Sequence, residues 1–199
     1  MTNPQTTLAT KYGSFMVRSW GDTNSHGLLL WTEGVEKVAN PLVRLHSSCI
    51  FSESLGSVDC DCNLQLQESL KSMSEQGGAL VYLYQEGRGH GIERKIEAME
   101  VQRIHDIDTH DAFELLGLDL DPRDYSGAIN ALKELHLASP VRLISNNPRK
   151  LKQLTDEGFE VSERIQLNLE ISPEIEKYLL SKKNKLGHDI NVTNFSTNR

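Results

Sequence analysis

No stretch of this 199-residue chain reaches the ~18 consecutive apolar residues that a membrane-spanning helix needs. Met1 to Thr10 is mostly polar and lacks the apolar core of a signal peptide. Cation is in short supply: 21 Lys and Arg stand against 28 Asp and Glu, for a net charge of -7. A phosphate backbone demands clustered cation, so the acidic balance disfavours nucleic acid as a bulk partner. One small polyanion held by a few local arginines is not excluded. Cysteine is scarce as well, and Cys49, Cys60 and Cys62 are too few and too closely placed for a disulfide framework. Internal repeats, low-complexity tracts and Pro/Gly/Ser linkers are missing. The expectation is a cytoplasmic protein with neither a membrane nor a nucleic-acid partner. Hydrophobic residues make up 38%; with glycine added they approach the ~45–50% of ordinary globular chains. The chain is therefore a folded one.

The first third reads as strands at Gly13–Val17, Gly27–Trp31 and Pro41–His46, separated by turn residues. From Leu64 the period changes: Leu64, Leu66, Leu70 and Met73 fit a helix that stops at Gly77-Gly78. Ala79–Tyr84 is an apolar run of strand length, suited to burial on both faces. Ile92, Ile96, Met99 and Arg103 fall at helical spacing, and Asp108 or Thr109 can cap a further short helix ending before Gly117. Ala128, Ile129, Leu132 and Leu135 give another helix, and Val141–Ile144 another strand. Pro148 sits at a helix entrance and Gly158 at its exit. Strands followed by alternating helices and strands predict an α/β (α+β) fold, a single mixed-sheet domain with flanking helices.

Four segments carry chemistry. Cys60-Asp61-Cys62 places two thiols two residues apart, with Cys49 eleven positions earlier. Such thiols converge on one ion only where the backbone turns. Three thiolates then make a soft site suited to zinc, with a fourth position for water; the plain alternative is three buried, unreactive thiols. Gln85–Gly91 holds three glycines and Arg88, whose planar fork suits phosphate or carboxylate. This is either an anion site leading into a helix or a tight turn with exposed charge. Asp119–Tyr125 concentrates charge around a proline and reads blandly as a solvated connection. Ser145–Lys150 opens a helix directly after a strand, where α/β sheets bind ligands, or is simply a capped junction.

Taken in order, these segments resemble the GTP cyclohydrolase II family, which opens guanine at the head of riboflavin synthesis. Arg44-Leu45-His46-Ser47-Ser48-Cys49 is similar to R-V-H-S-E-C, and Gly56–Cys62 with Gln65 to the family's second zinc segment. Glu86-Gly87-Arg88-Gly89 matches E-G-R-G, and Ser145–Lys150 resembles T-N-N-P-x-K. Asp108-Thr109, Leu116-Gly117 and Asp121–Tyr125 follow at family spacing, and Tyr178–His188 resembles the K-x-G-H ending. The likeness runs from about Tyr12 to His188 and implies a domain over 12–189, between a flexible segment 1–11 and a polar tail 190–199.

The resemblance implies one zinc ion per chain on Cys49, Cys60 and Cys62, with a water acidified towards pKa ~7 so that it attacks C8 of guanine. It implies GTP contacts at Arg44, Leu45, His46, Ser47, Ser48, Gln65, Glu86, Gly87, Arg88, Thr109, Ser145 and Lys150. Asp121 matches the proton acceptor. Arg123 matches the residue assigned to attack the α-phosphate and release pyrophosphate, with Mg2+ on the triphosphate. A homodimer is implied too.

Three departures stand out. Ser48 replaces the family's glutamate before the first cysteine, and His90 the isoleucine of its Gly-Ile-Gly. Met99 replaces a tyrosine linked to hydrolysis at the zinc, and a thioether is only a weak acceptor. Ring opening is therefore expected to survive and deformylation to fail, giving a formylaminopyrimidine nucleotide and pyrophosphate. The rivals are the complete reaction with formate release, the same scaffold in a different pathway, and a zinc-containing nucleotide binder without turnover.

Overall fold

The computed structural model describes residues 4–22 and 25–167, with Lys183 and Gly187. The rest of the K-x-G-H-like stretch, and the tail 190–199, lie outside the described residues. Among the described residues seven strands form one mixed sheet in the order β1-β2-β3-β5-β4-β6-β7. They are β1 (Gln5–Thr10), β2 (Gly13–Gly21), β3 (His26–Trp31), β4 (Leu42–Ser47), β5 (Gly78–Leu83), β6 (Val141–Ile144) and β7 (Val161–Ile165). Strands β1, β2, β3 and β5 pair antiparallel, while β4–β6 and β6–β7 pair parallel.

Alternation along the strands divides the interior into two cores. Leu29, Trp31, Val43, Leu45, Val81 and Leu83 share one, with α5 (Ser126–Lys133) and α6 (Pro148–Asp156) supplying Ile129, Leu132 and Leu154. Leu30, Leu42 and Leu80 share the other, where Met73 of α2 (Cys62–Gln76) is buried with Phe15 and Ile144. The even-numbered side chains of β4, Arg44 and His46, therefore fall on the face that α2 covers.

The chain resolves into two compact units. One holds the sheet with α5 and α6, built from the segment ending at His46, Leu64–Tyr84 and Asp124–Leu167. The other contains Ser47–Asn63 and Gln85–Arg123. It carries α1 (Ile50–Glu53), α3 (Ile92–His105) and α4 (Thr109–Leu115). Its own core is Ala98, Ala112 and Phe113, with Val101, Ile107, Leu116, Leu118 and Leu120 packed against them. Asp108 caps α4 by accepting from the His110 and Asp111 N–H groups at 2.9 and 3.1 Å. Asp108→Ala is expected to destabilise the protein by about 1 kcal/mol, read as a lower urea midpoint at unchanged slope.

One expectation changes, and one strand is new. Segment 1–11, expected to be flexible, contains β1, whose Gln5–Thr10 pair in register with Arg18–Gly13 of β2. Its polar, mostly exposed side chains gave no buried pattern to read; backbone hydrogen bonding holds it. Strand β7 had no alternating apolar signal, because Ser162 and Glu163 are exposed.

Candidate metal centre and nucleotide-binding residues

The cysteines meet because the backbone turns twice. Cys49 follows β4 and precedes the single turn of α1, while Cys60 and Asp61 bend the chain so that Cys62 opens α2. Ser52 holds the second bend: its hydroxyl donates to the Cys60 carbonyl at 3.4 Å and accepts from Asn63 N–H at 3.2 Å. All three sulfurs lie within 4.8 Å of one another, and Cys49 Sγ stands 3.6 Å from Cys60 Sγ. Thiolates on a tetrahedral zinc at ~2.3 Å would be ~3.8 Å apart. The donor set and its spacing thus fit zinc, and none of the three thiols is in a disulfide. Hydrogen bonds from Cys60 and Cys62 pull the Cys49 thiol far below its ordinary pKa, whereas the bond with Cys49 pushes Cys60 up.

Glu86 lies in the short 3-10 turn Glu86–Gly89, before α3. Its Oε1 accepts from the Ile50 N–H, and its Oε2 from Lys95 Nζ at 2.9 Å. Lys95 also donates to Cys49 Sγ at 3.2 Å. Burial lowers the Lys95 pKa, but the bonds to Glu86 and Cys49 outweigh it and hold the ammonium above its ordinary range. Gly87 has φ 56°, and a Cβ there would come within 3.1 Å of Lys95 Cβ, so glycine lets α3 close on the turn. Arg88 donates to the Leu120 carbonyl at 3.2 Å and lies 5.2 Å from the Phe113 ring.

Asp121 and Arg123 form a two-pronged pair, with Nε and Nη2 donating to Oδ1 and Oδ2 at 2.6 and 2.8 Å. Arg123 Nη1 reaches the Ser47 hydroxyl at 3.3 Å. Gly89, with φ 95°, leaves room for this arginine, since a Cβ would meet Arg123 Cγ at 3.3 Å. Thr109, the first residue of α4, donates its hydroxyl to Gln102 at 3.0 Å. Ser48 is half-buried beside Cys49 in the chain. Met99 is half-buried on α3, one helical turn after Lys95 and so on the same stripe.

The remaining predicted residues belong to the sheet-bearing unit. Buried Arg44 donates through Nε to His46 Nδ1 at 3.2 Å, through Nη1 to the Ile144 carbonyl at 3.2 Å, and through Nη2 to Gln65 on α2. His46 stacks on Tyr82 at 5.6 Å. Lys150, on α6, donates to the Leu45 carbonyl at 2.7 Å, with its ammonium 5.3 Å from the Tyr125 ring. Leu45 itself is fully buried, leaving its backbone as the part that meets a polar partner. The Ser145 hydroxyl accepts from Asn147 N–H at 3.0 Å. Arg44, His46 and Gln65 are thus brought into one network, and Leu45 and Lys150 into another. Lys95 was missed, because a lone lysine on an amphipathic helix carries no motif.

An α/β protein with a clustered set of three thiols and a carboxylate-locked arginine is the class these features define. The family model described as GTP cyclohydrolase II matches residues 2–166, and the chain belongs to that family of hydrolases. It is 39% identical over 184 residues to the GTP cyclohydrolase-2 of Azotobacter vinelandii, covering 91% of this chain and 88% of the relative. It is 43% identical over 186 residues to the riboflavin biosynthesis protein RibBA of Chlamydia trachomatis, covering 91% of this chain and 43% of that one. With RibBA of Bacillus cereus it shares 40% over 191 residues, or 94% of this chain and 47% of the relative. The chain spans less than half the length of these RibBA relatives and most of the Azotobacter protein. Among the described residues no helix is long and apolar enough to cross a membrane.

Proposed function

We propose that this protein hydrolytically opens the imidazole ring of GTP and releases pyrophosphate, with zinc on Cys49, Cys60 and Cys62. The clustering of the three sulfurs within 4.8 Å is the observation that carries the reading. Zinc held there supplies Lewis acidity and brings a water towards pKa ~7 at neutral pH. The chain's own residues do the rest. Arg44, His46 and Gln65 offer a buried polar set for the base or ribose, and Arg88 and Lys150 offer charge to the nucleotide. Asp121 is the proton acceptor for Arg123: the guanidinium loses a proton to the carboxylate, a nitrogen bonds the α-phosphorus as the bond to pyrophosphate breaks, and water then cleaves the N–P bond, freeing the nucleotide and restoring the proton to Arg123. The two-pronged pair at 2.6 and 2.8 Å supports that assignment, because an arginine attacks only after giving up a proton. Mg2+ would accompany the triphosphate and offset its negative charge.

Met99 determines the product. A thioether on the Lys95 stripe donates no hydrogen bond to a second water, so ring opening proceeds and the formyl group stays on the pyrimidine nucleotide. The second reading is the complete reaction, with formate released, feeding riboflavin biosynthesis; relatives named riboflavin biosynthesis protein RibBA support that pathway. A homodimer in the cytoplasm completes the proposal. Mass-detected chromatography of zinc-loaded protein, magnesium and GTP decides among these. Pyrophosphate with a product retaining C8 supports the truncated reaction, and equimolar formate and pyrophosphate the complete one. Neither product would leave a nucleotide-binding protein without turnover.

A further inference from the structure

Lys95 has no part in the reaction outlined above, yet three contacts tie it to the cysteine cluster. Its Nζ donates to Cys49 Sγ at 3.2 Å and to Glu86 Oε2 at 2.9 Å, and lies 4.6 Å from the Phe51 ring. The side chain is 19% exposed, so the ammonium is held rather than waving in solvent. Glu86 fixes both ends of this arrangement, since its other oxygen accepts from the N–H of Ile50, the residue after Cys49. Both carboxylate oxygens are therefore engaged within the protein, a different employment from a nucleotide contact. Gly87 makes the approach possible, because any side chain there would press on Lys95 Cβ.

We propose that Lys95, oriented by Glu86, is a positioning residue that tunes the metal centre through the sulfur of Cys49. Three thiolates around a divalent cation leave one net negative charge in a partly buried place. The Lys95 ammonium offsets the charge of the Glu86 carboxylate beside it and sets a positive donor against one sulfur. An N–H···S bond also draws electron density off the sulfur, leaving a metal on it more electron-poor and better able to acidify water. Outer partners of metal ligands act in this way, and losing one typically costs 10–100-fold in metal affinity or activity. The inference rests on the zinc reading above.

The experiment uses the full chain loaded with Co2+, whose thiolate-to-metal charge-transfer band reports the energy of the sulfur electrons. Wild type, Lys95→Met, Lys95→Arg and Glu86→Gln are compared, with metal stoichiometry measured on each. Lys95→Met is expected to move the band to longer wavelength. In the zinc-loaded enzyme it should lower kcat for ring opening by about 10–100-fold while KM for GTP stays within about threefold. Lys95→Arg should return the band towards wild type, and Glu86→Gln should shift it partway. A wild type that binds one cobalt while Lys95→Met gives the same band overturns the role of Lys95 and leaves the zinc reading standing. A wild type that binds no cobalt overturns both. Should Lys95→Met fail to fold, the band of Glu86→Gln decides alone, and an unmoved band there sinks the proposal.

Discussion

Met99→Tyr is expected to turn formate release on. The wild-type protein should give pyrophosphate and a nucleotide that keeps C8, with formate at background. The variant should give formate approaching one per pyrophosphate, followed by an enzymatic formate assay beside mass detection of the nucleotide. Position 99 sits on α3 one turn after Lys95, whose ammonium is 3.2 Å from Cys49 Sγ, so the two side chains share one stripe of the helix. Methionine and tyrosine are both long, and position 99 is half-buried rather than sealed in a core. The variant adds a hydroxyl that donates as well as accepts, where sulfur only accepts weakly. A positioned proton donor is worth ~10²–10⁴-fold to a hydrolytic step, enough to carry deformylation from undetectable to complete within one assay. Equimolar formate from the wild type would show instead that methionine merely fills space.

Cys60→Ser should remove the metal and with it nearly all ring opening. Zinc binding to four-ligand sites is worth ~10–16 kcal/mol. One thiolate in four then accounts for roughly 2.5–4 kcal/mol, a weakening of about 10²–10³-fold at 1.4 kcal/mol per decade. A serine hydroxyl is nearly the same size but a poor ligand for so soft a site, so the bends around Ser52 should survive the change. Two readouts separate metal from fold: zinc per chain after dialysis, and the rise in melting temperature on adding zinc. That rise follows from mass action on the folded state. It should be clear for wild type and absent for the variant, while the melting temperatures in chelator stay within a few degrees. Full zinc occupancy in Cys60→Ser would exclude Cys60 as a ligand.

Most of the architecture was legible because hydrophobic period and punctuation agree in this sequence. The helix expected after Leu64 is α2, the apolar run at Ala79 is β5, and Asp108 and Pro148 stand at the helix entrances where capping chemistry puts them. The thiols were legible as a set, although their convergence depends on a helix start at Cys62 that spacing alone does not announce. What escaped is of two kinds. Strand β1 lacks a buried face, and pattern reading detects only burial. The Glu86–Lys95–Cys49 contacts join residues nine and forty-six positions apart, by hydrogen bonds that leave no periodic trace. Glu86 was visible within its glycine-rich turn, but what its carboxylate engages became visible only in three dimensions.

The pairing of β1 with β2 bears on how the protein can be trimmed. Gln5–Thr10 looks like dispensable leader, and a truncation beginning at Tyr12 would discard it. Strand β1 is, however, the outermost strand on its side of the sheet. Removing it would bare the backbone donors and acceptors of β2, a nine-residue ribbon carrying Phe15 and Trp20. A long uncovered edge of that kind recruits strands from other molecules. Gln5–Thr10 thus act as a shield against self-association, and a shortened protein would pay in solubility before losing any group assigned to the chemistry.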